Sequence, residues 1–194
     1  MKKSETDTVI AALCHWWRQQ QGDGPGPQTG AARAALARLR RAATPDDVLM
    51  LPDHHALRQP LIRRIGRGLS ASEETGLAIA SGALATVREE EQSRHTARLL
   101  GPPDANSDEG AAMSELRFRR LLHAGDAADR MRQLRRAVQL LGGRAHLPSL
   151  IAAALNWDDP AERRRWIFAY YDAPQFIAAE LPDQSETVTE EAPS

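Results

Sequence analysis

Apolar residues recur at spacings of three and four along most of this chain, as they do on helices with one buried face. The pattern predicts a first helix over residues 6–20, capped by Thr6 or Asp7, with Val9, Ile10, Leu13, Trp16 and Trp17 facing inward. Gly22 to Gly30 is rich in glycine and proline and reads as a loop. A second helix runs from Ala31 to about Ala42, burying Leu36 and Leu39. Thr44-Pro45-Asp46-Asp47 supplies a cap, a proline at the first helical position and acids in the first turn, opening a short helix that ends near Leu51. Pro52 and Pro60 bracket the segment DHHALRQ, after which Leu61, Ile62 and Ile65 alternate with Arg63, Arg64 and Arg67. Ser72 is the expected cap of a longer helix through Leu77, Ile79, Leu84 and Val87, fading at Glu89 to Glu91. A short piece from Arg94 to Leu100 precedes the clearest break, residues 101–112, where no motif is evident.

Two basic helices then follow between Met113 and Leu141, joined by a tight Ala124-Gly125-Asp126 turn. In the second of them Ala127, Met131, Leu134, Val138 and Leu141 form one stripe, and Arg132, Arg135, Arg136 and Gln139 are assigned to the opposite face. In the first, Phe118, Leu121 and Leu122 mark the buried side, with Arg117 beside that sector and Arg120 at its border. Gly142-Gly143 stops the second helix. A short helix around Leu147 to Leu155 follows, then a last one capped by Asp158 or Asp159 with Pro160 at its first position, bent or ended by Pro174. No segment alternates as a strand does, and no solenoid repeat is present. The expected fold class is therefore all-α: a single helical bundle of roughly eight helices, some short, over residues 1–180, with an acidic disordered tail over 181–194.

Charge adds an asymmetry to this frame. The formal net charge is −1, yet Glu180, Asp183, Glu186, Glu190 and Glu191 sit in a C-terminal stretch with no basic residue, so the body carries a basic surplus. Lys2 and Lys3 are the only lysines; all other basic residues are arginines. Clustered arginines can meet successive phosphates. The single cysteine, Cys14, excludes an intrachain disulfide and fits a reducing compartment. No signal peptide follows the N-terminal lysines, and no apolar run approaches the ~20 residues that span a bilayer. The expectation is a soluble, cytoplasmic protein with no membrane association.

Catalytic chemistry finds little support. His15, His54, His55, His95, His123 and His146 match no zinc spacing, and the adjacent Asp53-His54-His55 point in different directions on a helix. Cys14 and His15 diverge in the same way. Gly66-Arg67-Gly68 lacks both the lysine ending and the preceding strand of a phosphate loop. Trp157, Trp166 and Tyr170 are assigned to packing of the last helix. No catalytic residue, metal or cofactor is expected.

The order of motifs resembles the CasB family, the small subunit of the type I-E CRISPR interference complex, Cascade. The matching pieces are the Trp16-Trp17 pair, GAARAALARLRRAATPDDVLMLP, SELRFRRLL, QLRRAVQLLGG and the closing Asn156-Trp157 with RRRWIFAYY. They cover roughly residues 8–172; the acidic tail and residues 85–112 carry no part of the likeness. The resemblance implies a non-catalytic helical subunit present as a pair of copies beside the complex's backbone and large subunits. It implies contact with guide RNA and target DNA through the phosphate backbone, without sequence preference, so as to hold the R-loop open. Where basic pattern and family motif coincide, the expected nucleic-acid-binding residues are Arg40, Arg41, Arg117, Arg120, Arg135 and Arg136, with Arg33, Arg132 and Arg144 ranked after them. The competing assignment pairs Arg117 or Arg120 internally, with Glu115 or an acid elsewhere in the chain. Two other classes compete: a helix-turn-helix transcription regulator built on the 124–126 turn, and a helical adaptor that binds protein alone.

Overall fold

The computed structural model describes residues 3–22, 28–102 and 110–171; Pro174, the acidic tail and much of the first glycine-rich loop lie outside them. Among the described residues the elements run α1 (Lys3–Gln21), α2 (Gly30–Arg41), α3 (Pro45–Leu49), α4 (Pro52–Ile65), α5 (Ala71–Leu84), β1 (Glu89–Glu90), α6 (Thr96–Leu100), α7 (Glu115–Leu122), α8 (Ala127–Leu140), β2 (Arg144–Ala145), α9 (Leu147–Asn156) and α10 (Pro160–Tyr171). The all-α expectation holds, with more helices than the hydrophobic pattern resolves.

The bundle is organised around α5, in which every residue from Gly76 to Leu84 is buried. Its sequence, ASEETGLAIASGAL, has small side chains on every face, so neighbours can close on it from all sides. Helix α9, itself alanine-rich, brings its backbone close: a Cβ at Gly76 would stand 3.2 Å from the Leu155 Cα. Helices α3 and α8 pack along other sides of α5, and α1 lies across α9. None of the nine residues has a polar side chain longer than serine, and Ser81 bonds to its own helix at the Ala78 carbonyl, 3.1 Å away. A helix without an exposed face gives no amphipathic signal, which is why its limits differ from those the sequence suggests.

Its start is Ser70, not Ser72. Ser70 accepts from the Glu73 amide while Glu73 accepts from the Ser70 amide, a reciprocal capping box that fixes the first turn. Its end is Leu84, and Glu89–Glu90 is extended, pairing in parallel with Arg144–Ala145. The segment that Pro52 and Pro60 bracket is part of one helix: Pro52 opens α4 and Pro60 lies inside it. Proline there removes one bond to the Ala56 carbonyl, but Ala56 and Pro60 are both exposed, so water can take that carbonyl. The expected cap at Thr44 forms, accepting from the Asp47 amide, and Asp126 caps α8 in the same way, accepting from the Asp129 amide.

The last helix closes the far end. Trp157 and Trp166 are buried edge to face, ring centroids 5.5 Å apart, and Phe118 of α7 stacks on Tyr170 of α10 at 3.9 Å. The Tyr170 hydroxyl donates to the Met113 carbonyl at 2.6 Å, fixing the approach to α7. Helix α6 lies against α10 so closely that a Cβ on Gly101 would sit 2.0 Å from the Tyr170 carbonyl oxygen. His95 and His146 cap α6 and α9 through Nδ1, accepting from the Ala97 and Ser149 amides. Cys14 is buried, and that burial pushes its thiol up to about 11. No helix among the described residues is long and apolar enough to cross a membrane.

Candidate nucleic-acid interface

The C-terminal ends of α2 and α5 meet beside α8. Helix C-termini leave carbonyls without intrahelical donors and carry partial negative charge, so such a junction draws cations. Arg135 fills it. Its Nε donates to the Gly82 carbonyl at 2.9 Å, Nη1 to Ala42 at 2.5 Å and Nη2 to Leu39 at 2.7 Å. The approach depends on Gly82, where a Cβ would lie 2.8 Å from both Arg135 Nη2 and the Met131 sulfur. Burial pulls the Arg135 guanidinium below its ordinary pKa, and the carbonyl dipoles replace a carboxylate partner. The sequence pattern places Arg135 on the outer face of α8; the structure corrects this, because the side chain turns inward and ties three elements together.

Arg40, near the end of α2, is part of the same junction. Its Nε donates to the Ala85 carbonyl at 3.0 Å while the residue stays exposed. Arg38, also on α2, is committed elsewhere, holding Asp53 through two bonds of 2.6 and 2.8 Å. Arg132 is exposed and paired with Asp129 one turn earlier at 2.6 Å. On α7 the residue that pairs with Glu115 is Arg119, rather than Arg117 or Arg120. Arg130 is bound to Asp158 at 2.7 Å and nearly covered.

The remaining candidates are outward and uncommitted. Arg33 and Arg41 on α2, Arg117 and Arg120 on α7, and Arg136 on α8 are exposed and have no acidic partner among the described residues. Arg144 on β2 is half-buried, also without an acidic partner there. Helix α7 lies on α8, and Arg135 joins α8 to α2, so all of these arginines but Arg144 belong to three successive neighbours. Leu116, 63 % exposed, shares the outer side of α7 with Arg120 one turn on.

Sequence reasoning passes over Arg88, in the connection between α5 and β1. Its amide donates to the Gly143 carbonyl at 2.8 Å, and its methylenes lie where a Cβ on Gly143 would stand, 3.1 Å away. The only sequence signal is the Gly142-Gly143 pair, both at positive φ, which marks a turn that another segment can approach closely.

The model of the CRISPR-associated protein Cse2 family matches residues 32–171 of this chain. The fold is similar to the crystal structure of CasB from Thermus thermophilus, with a TM-score of 0.61 and 22% sequence identity, covering 89% of this chain and 100% of that one. It is also similar to a chain in the structure of Escherichia coli Cascade bound to a PAM-containing double-stranded DNA target, with a TM-score of 0.54 and 23% identity, covering 84% of this chain and 91% of that one. No curated protein matches the chain. The family match takes in α2 through α10, including every element that carries a candidate arginine, and on that ground the chain belongs to the CRISPR-associated protein Cse2 family.

Proposed function

We propose that this protein is a non-catalytic subunit of a type I-E CRISPR surveillance complex, where its uncommitted arginines hold nucleic-acid backbone and stabilise the R-loop. The observation that carries the proposal is the set of exposed arginines without acidic partners among the described residues, Arg117, Arg120 and Arg136 above all, on helices fixed by a buried core. An arginine already paired to a carboxylate has little to gain from a phosphate, whereas a solvated one can release counterions from the nucleic acid. R-loop formation exchanges one duplex for another of similar stability, so a few backbone contacts shift the balance. The family match and the likeness to a chain of DNA-bound Cascade support the same reading. Arginines on this core suit such a role because α5, α8 and α10 set their positions before any ligand arrives.

The test is target-DNA affinity of the reconstituted guide-RNA complex carrying Arg117→Glu, Arg120→Glu and Arg136→Glu together. The expected result is weaker binding and a shallower dependence on salt, by roughly one unit of slope for each phosphate no longer held. Unchanged affinity and slope would assign these arginines to protein contacts. One observation favours that second reading at α7 itself: Leu116 is exposed among the arginines, as at the edge of a protein interface. A regulator reading through a helix-turn-helix is weakened because Arg130 and Arg135, on the prospective recognition helix α8, are consumed by Asp158 and by backbone carbonyls.

A further inference from the structure

An open cleft of about 210 Å³ lies between the end of α2, the connection after α5 and the turn after α8. It is lined by Arg40, Thr86, Arg88, Gln139, Gly142 and Gly143, with no carboxylate among them. Both arginines are pre-positioned. Arg40 is held by its Nε bond to Ala85, leaving its two Nη groups without a partner among the described residues. The Arg88 stem rests on Gly143, whose positive φ of 94° favours glycine, and its guanidinium has no partner among the described residues. The turn amides are occupied, Gly142 N–H on the Gln139 carbonyl and Gly143 N–H on Val138, and the Thr86 hydroxyl donates to Ala83. Donors for a ligand therefore come from two guanidinium groups and the Gln139 amide. Planar guanidinium donors match phosphate oxygens, and the volume admits a phosphate group with several waters, each taking about 30 Å³.

We infer that the Arg40–Arg88 cleft is a discrete binding site for one phosphodiester of a nucleic-acid strand, with Arg88 a binding residue outside the helix faces. This deepens the proposed function and rests on it for the identity of the strand. A rival account is available from the fold itself: α2, α5 and α8 all end near the cleft, and the two arginines would offset the carbonyl dipoles there with no ligand at all.

The experiment uses the full chain and two probes, inorganic phosphate and a thymidine oligonucleotide of about 12 nucleotides. Arg88→Ala is expected to weaken oligonucleotide binding about three- to tenfold at low salt and to reduce the log–log salt slope by about 1. Gln139→Glu, which places a carboxylate in the cleft, is expected to weaken it further, and inorganic phosphate should compete with the oligonucleotide on the wild type but not on Arg88→Ala. Unchanged affinity with a lowered melting temperature in Arg88→Ala would overturn the inference in favour of the helix-end account. Inorganic phosphate binding at Arg88 without any loss of oligonucleotide affinity would also overturn it, leaving a site for free anions. The two readings fail separately. If the triple variant on α7 and α8 loses DNA in the assembled complex while Arg88→Ala does not alter the free chain, the function stands and the cleft falls. If Arg88→Ala weakens the free chain but the triple variant leaves the complex unchanged, the cleft stands and the helix-face reading falls.

Discussion

Arg135 Nη1 donates to the carbonyl of Ala42 at 2.5 Å, joining positions 93 residues apart in the chain. An arginine in a basic helix motif thereby acts as the bolt between α8 and the end of α2. Replacing it leaves three carbonyls at the helix ends without donors. Arg135→Ala should cost about 3 kcal/mol in urea unfolding, since hydrogen bonds to a charged donor contribute roughly 1.5–3 kcal/mol and orphaned carbonyls add to the loss. Arg136→Glu, one residue along, should stay within about 0.5 kcal/mol of wild type. Equal costs for the two would refute the division between bolt and surface.

Gly101 presents no unusual backbone, with φ −72° and ψ −179°, so its importance is space alone. A methyl group there would meet the Tyr170 carbonyl at 2.0 Å, and backbone cannot rotate aside as a side chain can. Gly101→Ala should exceed the ordinary overpacking cost of about 1–3 kcal/mol and force α6 from α10. Thermal unfolding, with Trp166 fluorescence as a local reporter, checks both effects.

Histidine burial sets an acid limit. His54 is fully buried with neither ring nitrogen bonded among the described residues, and desolvation holds its pKa down to about 4, against the lesser pull of Glu74. The unfolded chain therefore takes up this proton more readily than the folded one. The stabilisation is complete above the unfolded value near 6.5, is lost as pH falls toward 4, and amounts to at most about 3 kcal/mol. His95, also pushed down to about 4 by burial, adds a loss in the same window. Glu73 and Glu91, held near 2 by Arg67 and Ser93 respectively, weaken the fold only below their unfolded range. Urea titrations between pH 7.5 and 4 should show the decline, and His54→Leu should flatten part of it. An unchanged profile in that variant would remove His54 as a source.

Tyr170 combines a ring stack with a hydroxyl bond, and Tyr170→Phe separates them. The stack on Phe118 survives while the bond to Met113 disappears, for a cost of about 1 kcal/mol. Phe118→Ala removes a fully buried ring and should cost about 3–5 kcal/mol. A larger loss from Tyr170→Phe than from Phe118→Ala would mean the hydroxyl, not the rings, anchors α7.

Local chemistry is legible in the sequence and distant chemistry is not. Thr44 reads as a cap because a cap needs only its own first turn. Ser70 is less obvious than Ser72, although Glu73 three residues on completes its box. The pairing of Glu89 with Arg144 leaves no trace in either two-residue stretch, since it is decided by a partner far along the chain. At 100° per residue, Arg136 falls about 180° from the centre of the α8 apolar stripe and Arg135 only about 80°. Grouping the two as outward overlooks a separation that the pattern already contains. What no pattern contains is the reason for the inward turn, the helix ends of α2 and α5.

The burial of α5 on every side gives the protein an internal clock. Backbone amides from Gly76 to Leu84 can meet solvent deuterium only when the whole bundle opens, whereas those of α7, resting on α8 and on one aromatic stack, can exchange through smaller openings. Exchange at α5 therefore reports global stability, and exchange at α7 relative to α5 reports occupancy of the arginine-bearing surface. A partner seated there would slow the second rate far more than the first, distinguishing a bound surface from a protein that has merely become more stable.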